Sequence, residues 1–411
     1  MEVESVQDPS DLAEDPQSGG DTDQDWPCWQ ARSSAGLGLG KQAEIPEPGC
    51  EIVACVLLFR KILLMPSEAM PIRISSEFSR ELTNGLEDSS LVTITEQIRF
   101  PRLVGHLECG HSRGADSALI GRVGTLARLE SVVSCAPSRH ASRDSNEGDI
   151  DDVDDGSHGW ADVTIFGAAR FKIVALEPTS GLFHAIARIR VLPDEGSGSL
   201  TRIPFTATSI PDFVRQAFDP VSLCARIVAS GSRLLRPFGK EDLAENFVLP
   251  RTRMETEKFS FWLARNLPLD MRTVRALLEL NSTEHRLLEI LKFVTGVEET
   301  LSCAFCNAAL ATTANVISMS EVGAAGSYMN AFGCTHQLLT LDKVPDARSR
   351  GAPVLEHTYF PGYAWTCIYC YQCEFHIGWK YEAVDTSCIP REFFGLLRSV
   401  LTTNLPGRHW L

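Results

Sequence analysis

The sequence predicts an α+β protein in three parts: a β-rich N-terminal domain, a central helical segment, and a C-terminal all-β domain pinned by zinc. Three observations lead there. Aliphatic runs of strand length fill the first half of the chain. After Pro193 the apolar period changes from two to about 3.6. Two Cys-x-x-Cys pairs, Cys303/Cys306 and Cys370/Cys373, stand 63 residues apart in the last quarter.

Composition narrows the function classes. The chain has 411 residues, room for two or three domains, and its 44% hydrophobic content suits a globular protein. A net charge of −15 repels phosphate backbones, so no direct nucleic-acid partner is expected. The opening MEVESVQDPSDLAEDPQ is acidic where a secretory leader is basic, and it lacks an apolar stretch. No apolar run approaches the roughly 20 residues of a membrane helix, so no membrane partner is expected. Thirteen cysteines, an odd number, fit reduced thiols plus a metal site better than a disulfide framework. Cytoplasm and nucleus are the expected compartments.

Residues 1–45 are rich in Asp, Glu, Ser, Gly and Pro and read as a disordered acidic tail. Order begins near Glu51. Ile52–Phe59 is an apolar run of strand length, Ser76–Leu86 reads as a helix, and Leu91–Ile98 alternates with period two. Ala118–Val133, Ala161–Glu177 and Leu182–Pro193 are aliphatic, the first two broken by Gly, as in the long bent strands of a small barrel or half-open sheet. Between them, 137–159 is polar and ends in the acidic run Asp149–Asp155. That run lacks the turn Gly and the bidentate Glu of an EF-hand loop, so it predicts a disordered hairpin extension rather than a calcium site.

The helical period follows. Ser209–Phe218 has Ser209 as N-cap and Pro211 in its first turn, and a second helix follows Pro220. A third, FSFWLARN, leads to a fourth that Asp270 is placed to cap. In Asn281–Gly296, Asn281 and Glu284 stand at capping-box spacing and Gly296 is the stop. The stripe Leu287, Leu288, Leu291 and Val294 is expected to face the core.

Two Cys-x-x-Cys turns supply four thiolates, the tetrahedral set that a structural zinc accepts, and four protein ligands leave no open position for catalysis. Cys303, Cys306, Cys370 and Cys373 are therefore the predicted ligands of one structural Zn2+. Around the second pair runs an aromatic stretch. Trp365 lies five residues before Cys370 and Trp379 six after Cys373, so the metal-bound turn would bring both indoles to one sheet. Facing rings would form a slot suited to a flat neutral ring or a cation, or else an ordinary core containing Trp.

The stretch EHTYFPGYAWT…CYQCEFHIGWKY, with the earlier CAFC, resembles the thalidomide-binding (CULT) domain of the cereblon family. Upstream, GRVGTLARLESV, ADVTIFGAARFKIVALE and ARIRVLPDE are similar to that family's Lon N-terminal-like domain. TSIPDFVRQAFDP and FSFWLARNLPLDMRTVRALLELNSTEHRLLEI are similar to its helical segment. The resemblance implies a Lon N-terminal-like domain at 46–196 containing the insert 137–159, helices at 197–298, and a CULT domain of β-tent fold at 299–407.

It also implies a site. In that family three tryptophans cage a cyclic imide such as glutarimide. Trp365 and Trp379 match two walls, and Tyr359 stands where the first Trp is usual. Tyr381 matches an aromatic backing the slot. His357 matches the residue whose carbonyl accepts the imide N–H, with the Tyr359 N–H answering an imide carbonyl. Asn330 matches the asparagine of the hairpin that closes over the ligand, and Ala331 and Phe332 replace the family's Pro and His. His336 is expected to be structural. The implied role is that of a non-catalytic substrate receptor of a cullin-RING ubiquitin ligase. Its partners would be the damaged-DNA-binding adaptor protein, target proteins with C-terminal cyclic imides, and small-molecule glutarimides. After Pro193 the chain reaches SIPDF at once, without the longer Lys- and aromatic-rich stretch that contributes to adaptor docking in the family. A ligase-independent sensor of cyclic imides is the alternative. A further one is a methionine sulfoxide reductase-like enzyme using Cys334, Cys367 or Cys388, since reductases of type B share the tent-like zinc-pinned sheet.

Overall fold

The structure is a computed structural model. It describes residues 44–75, 103–109, 119–135, 160–177, 184–195, 217–235, 248–296, 299–320 and 323–403. The helix predicted at Ser76–Leu86, the strand at Leu91–Ile98, the insert 137–159 and most of the SIPDF segment lie outside the described residues. So do residues 1–43 of the tail.

The N-terminal sheet contains β1 (Glu51–Arg60), β2 (Ala69–Ser75), β3 (Leu103–Cys109), β4 (Val123–Cys135), β5 (Trp160–Leu176) and β6 (His184–Val191). Its order is β2-β5-β4-β3-β1-β6, and a further β5–β6 pairing joins the ends into a barrel-like ring with β2 attached outside. The β1–β3 pair is parallel and the rest antiparallel. Strand β5 is long enough for this because it bends: register shifts interrupt both the β4–β5 and β5–β6 ladders. Alternate residues feed two cores, one around Phe171 and Val56, the other around Met70, Ile72 and Ile165.

Four helices follow: α1 (Pro220–Leu235), α2 (Arg253–Asn266), α3 (Met271–Glu279) and α4 (Thr283–Val294). Asp270 caps α3 as its position predicts, accepting from the Thr273 N–H at 2.8 Å. One expectation is corrected. The cap of α4 is Ser282, not Asn281. The Asn281 amide oxygen is already taken, at 3.1 Å, by the buried guanidinium of Arg170 from β5, which leaves the next hydroxyl to cap the helix. Leu287 and Leu291 are buried as predicted and share one core with Phe259, Phe261 and Leu263.

The C-terminal region is all β. A six-stranded antiparallel sheet runs in the order β11-β12-β13-β14-β10-β9. Its strands are β9 (Ala325–Met329), β10 (Thr335–Leu341), β11 (Arg348–Val354), β12 (Tyr363–Tyr369), β13 (His376–Ala383) and β14 (Glu392–Leu397). A three-stranded sheet of β15 (Leu401–Thr403), β7 (Thr300–Cys303) and β8 (Ala309–Thr312) packs on one of its faces. Ile368, Ile377, Phe394 and Leu396 fill that interface, while the opposite face carries Tyr363, Trp365, Trp379, Tyr381 and Phe393. Gly378, at φ +151, lies so close to the Gly395 carbonyl that any Cβ there would collide with it, so the two central strands require glycine at that point.

Buried charges join the three parts. Arg398, just after β14, fans its guanidinium onto the carbonyls of Ala264, Arg265, Leu267 and Leu269, at and beyond the C-terminal end of α2. Glu68, before β2, pairs with Arg265 and accepts from the Ser327 hydroxyl at 2.9 Å. Arg286 of α4 binds Asp194 and Ser260 and lies over the Phe261 ring at 3.9 Å. The side chains of Arg398, Glu68, Arg286, Asp194 and Ser260 are each more than nine-tenths buried, so each would be costly to leave unpaired.

Candidate functional site

At one end of the C-terminal region two short turns meet. In the first, the Asn307 N–H donates to the Cys303 carbonyl and the Cys303 N–H to the Ala308 carbonyl. The second repeats the pattern: Glu374 N–H to Cys370, Cys370 N–H to Phe375. Asn307 and Glu374 both lie in the left-handed region, at φ 60 and 57, so each turn curls its two sulfurs inward. The four Sγ atoms lie within 4.8 Å of one another, with Cys303–Cys373 at 3.8 Å and Cys306–Cys370 at 3.6 Å. Zn–S bonds of about 2.3 Å in a tetrahedron place sulfurs roughly 3.8 Å apart. The donor set and its spacing fit a structural zinc. Phe305 and Phe375, one from each turn, pack with ring centroids 3.7 Å apart over the junction.

The aromatic face lies on β12 and β13. Their register sets Trp365 opposite Tyr381 and Cys367 opposite Trp379, so all four side chains share one face. Tyr381 is buried and stacks on Phe393 at 4.8 Å, with Phe360 edge-on to both. Burial raises the Tyr381 phenol well above its ordinary range, so it stays neutral. Tyr359, in the loop before β12, stacks on Tyr328 of β9 at 5.1 Å and meets Trp379 edge-on at 5.9 Å. Its phenol is pushed up to about 12, first by burial and then by the neighbouring Cys334. Trp365 donates its indole N–H to the Glu356 carbonyl at 2.8 Å, which ties the ring to the loop before β12.

The predicted site residues fall into two groups. Tyr359, Trp365, Trp379 and Tyr381 are brought into one aromatic cluster. Asn330 and His357 stand at its edges. Asn330 closes its own hairpin, its Oδ1 accepting from the N–H groups of Phe332 and Cys334 at 3.0 and 2.8 Å. It approaches His336, whose ring lies edge-on to Trp379 at 5.2 Å. On its far side the hairpin is held by Arg73 of β2, which grips Asp162 with two nitrogens and donates a third N–H to the Ala331 carbonyl. His357 adopts φ 56 and its ring is exposed beside Glu356. Among the described residues, neither the His357 carbonyl nor the Tyr359 N–H has a hydrogen-bond partner.

Two participants, Tyr328 and His376, escaped the sequence reading, and a third, Phe360, was legible only as part of the aromatic run. Tyr328 backs Tyr359 from a different hairpin, His376 lies edge-on to Trp379 at 4.9 Å, and Phe360 lies edge-on to Tyr381. The alternation of Tyr363, Trp365, Cys367 and Tyr369 could have exposed the face, but not Tyr328, which reaches it from β9 at the far edge of the sheet.

Comparison with known proteins agrees with this geometry. Residues 299–408 match the family described as Yippee zinc-binding/DNA-binding/Mis18, centromere assembly. The chain is 33% identical over 203 residues to protein cereblon of Gallus gallus, covering 48% of this chain and 43% of the relative. Against protein cereblon of Danio rerio it is 32% identical, with 48% and 44% covered. Against that of Drosophila erecta it is 34% identical over 161 residues, with 36% and 27% covered. Over about half its length the chain is thus a homologue of cereblon, and it spans less than half the length of these curated relatives. No helix among the described residues is long and apolar enough to cross a membrane.

Proposed function

We propose that this chain is a non-catalytic recognition subunit that takes cyclic imides, of glutarimide type, into the slot between Tyr359, Trp365 and Trp379. One observation carries the reading: a free carbonyl at His357 and a free N–H at Tyr359 stand beside an aromatic slot. A cyclic imide has the complementary set, an N–H flanked by carbonyls on a flat ring. Each main-chain bond contributes about 1 kcal/mol and each ring contact about 0.5–1.5 kcal/mol. Because main chain makes the polar contacts, Tyr in place of Trp at position 359 leaves them intact.

Homology to cereblon supports placing this slot in a substrate receptor of a cullin-RING ubiquitin ligase. There the slot would read small-molecule glutarimides and targets ending in a cyclic imide, while the helical segment would dock on the damaged-DNA-binding adaptor protein of the ligase. The enzyme alternative finds less support. Burial raises the Cys367 thiol, which lowers its nucleophilicity. Calorimetric titration with glutarimide, paired with capture of the adaptor from purified components, tests the two halves. Binding in both is expected. Imide binding without adaptor capture would leave the ligase-independent sensor, and no imide binding would overturn the reading.

A further inference from the structure

Two of the slot's walls are anchored in different ways. Trp365 is tied by its indole N–H to the Glu356 carbonyl at 2.8 Å. Tyr359 has no such tie: among the described residues no hydrogen bond reaches its phenol, so packing fixes the ring. Its ring contacts are the Trp379 edge at 5.9 Å and the Tyr328 face at 5.1 Å, the second stacked with 21° between the planes. Tyr328 is itself closely seated. Gly326, two residues earlier on β9, is buried, and a Cβ there would lie 2.5 Å from the Tyr328 ring. Only the bare glycine lets that ring lie back along its own strand. Across the sheet, Tyr328 stands directly opposite His336 in the β9–β10 ladder, and the His336 ring meets Trp379 at 5.2 Å. One rung of the ladder therefore touches both Tyr359 and Trp379.

We infer that Tyr328 is the positioning residue of the Tyr359 wall, its ring seated over Gly326 and stacked on Tyr359 so that Tyr359 is held at a fixed distance from Trp379. This rests on the imide-cage reading above. It assigns the separation of two walls to a residue on β9, a strand that supplies neither of them.

The test compares Tyr328→Leu, which removes the stacking face, with Tyr328→Phe, which keeps it. Gly326→Ala displaces the Tyr328 ring while leaving both tyrosines in the chain. The readout that needs no ligand is the indole 1H–15N resonance of Trp379, assigned by its loss in Trp379→Phe. Among the described residues Tyr328 makes no ring contact with Trp379, so a signal there travels through Tyr359 or through His336. The resonance should move in Tyr328→Leu and Gly326→Ala and stay in Tyr328→Phe. Adding Tyr328→Leu to Tyr359→Leu should move it no further. Glutarimide affinity should weaken about fivefold in Tyr328→Leu, the size of one stacked aromatic pair, and stay within about twofold in Tyr328→Phe. Zinc content and melting temperature control for folding, and Gly326→Ala carries the test if Tyr328→Leu does not fold. An indole resonance left in place by the folded variant, or moved equally with and without Tyr359, overturns the proposal whatever the slot binds. A native chain that takes no glutarimide overturns the cage reading instead.

Discussion

The two ends of the C-terminal region use similar β-turns and aromatic residues to opposite effect. At the zinc end both turns close their own hydrogen bonds, four sulfurs converge, and the Phe305 and Phe375 rings pack together. At the cage end the side chains are packed just as firmly, yet a carbonyl and an N–H are left unpaired at the lip. The first arrangement is that of a structural metal site; the second is the one proposed above to take a ligand. The difference also predicts that the first end supports the second and not the reverse.

The largest effect tests that asymmetry. A structural zinc of this kind contributes on the order of 10 kcal/mol. Chelation, or Cys370→Ser, should abolish the unfolding transition of the C-terminal sheets and imide binding together, as followed by circular dichroism and calorimetry. Cage variants should leave zinc stoichiometry at one. Loss of metal on changing Trp365 or Trp379 would break the comparison.

Acid should separate the ends in a milder way. His336 and His376 both meet Trp379, and burial holds both imidazoles below their ordinary value of 6.5. A depressed histidine stabilises its packed arrangement at pH values above 6.5 and loses that contribution as pH falls, because the open state takes up the proton first. The melting temperature of the C-terminal region should therefore decline below about pH 6.5, and His336→Gln combined with His376→Gln should flatten the profile. A melting temperature equally pH-dependent in the double variant would refute this. The smallest change sharpens the cage alone. Tyr359→Trp restores a larger wall and should tighten glutarimide binding by about two- to fivefold, measured by titration calorimetry.

How much of this was legible in the sequence divides along the same line. Cys303, Cys306, Cys370 and Cys373 were readable from spacing, because the chemistry of the ion dictates it. The β-then-helix order was readable from the change of period, and Asp270 as a cap from local preference. The α4 cap was misassigned because the competitor for Asn281 is Arg170, more than a hundred residues away. Spacing brings Trp365 and Trp379 to one sheet, but only resemblance suggests that they line a slot. Tyr328, His376 and the unpaired groups at His357 and Tyr359 depend on tertiary placement and left no local signal.

The central claim is that the face between Tyr359, Trp365 and Trp379 takes a cyclic imide while the zinc end merely supports it. Glutarimide-induced thermal stabilisation, measured on the native chain and on Trp379→Ala at matched zinc content, tests it most directly. The account predicts a positive shift in the native chain that disappears in the variant while zinc stays bound. No shift in the native chain, or an equal shift in both, would contradict it.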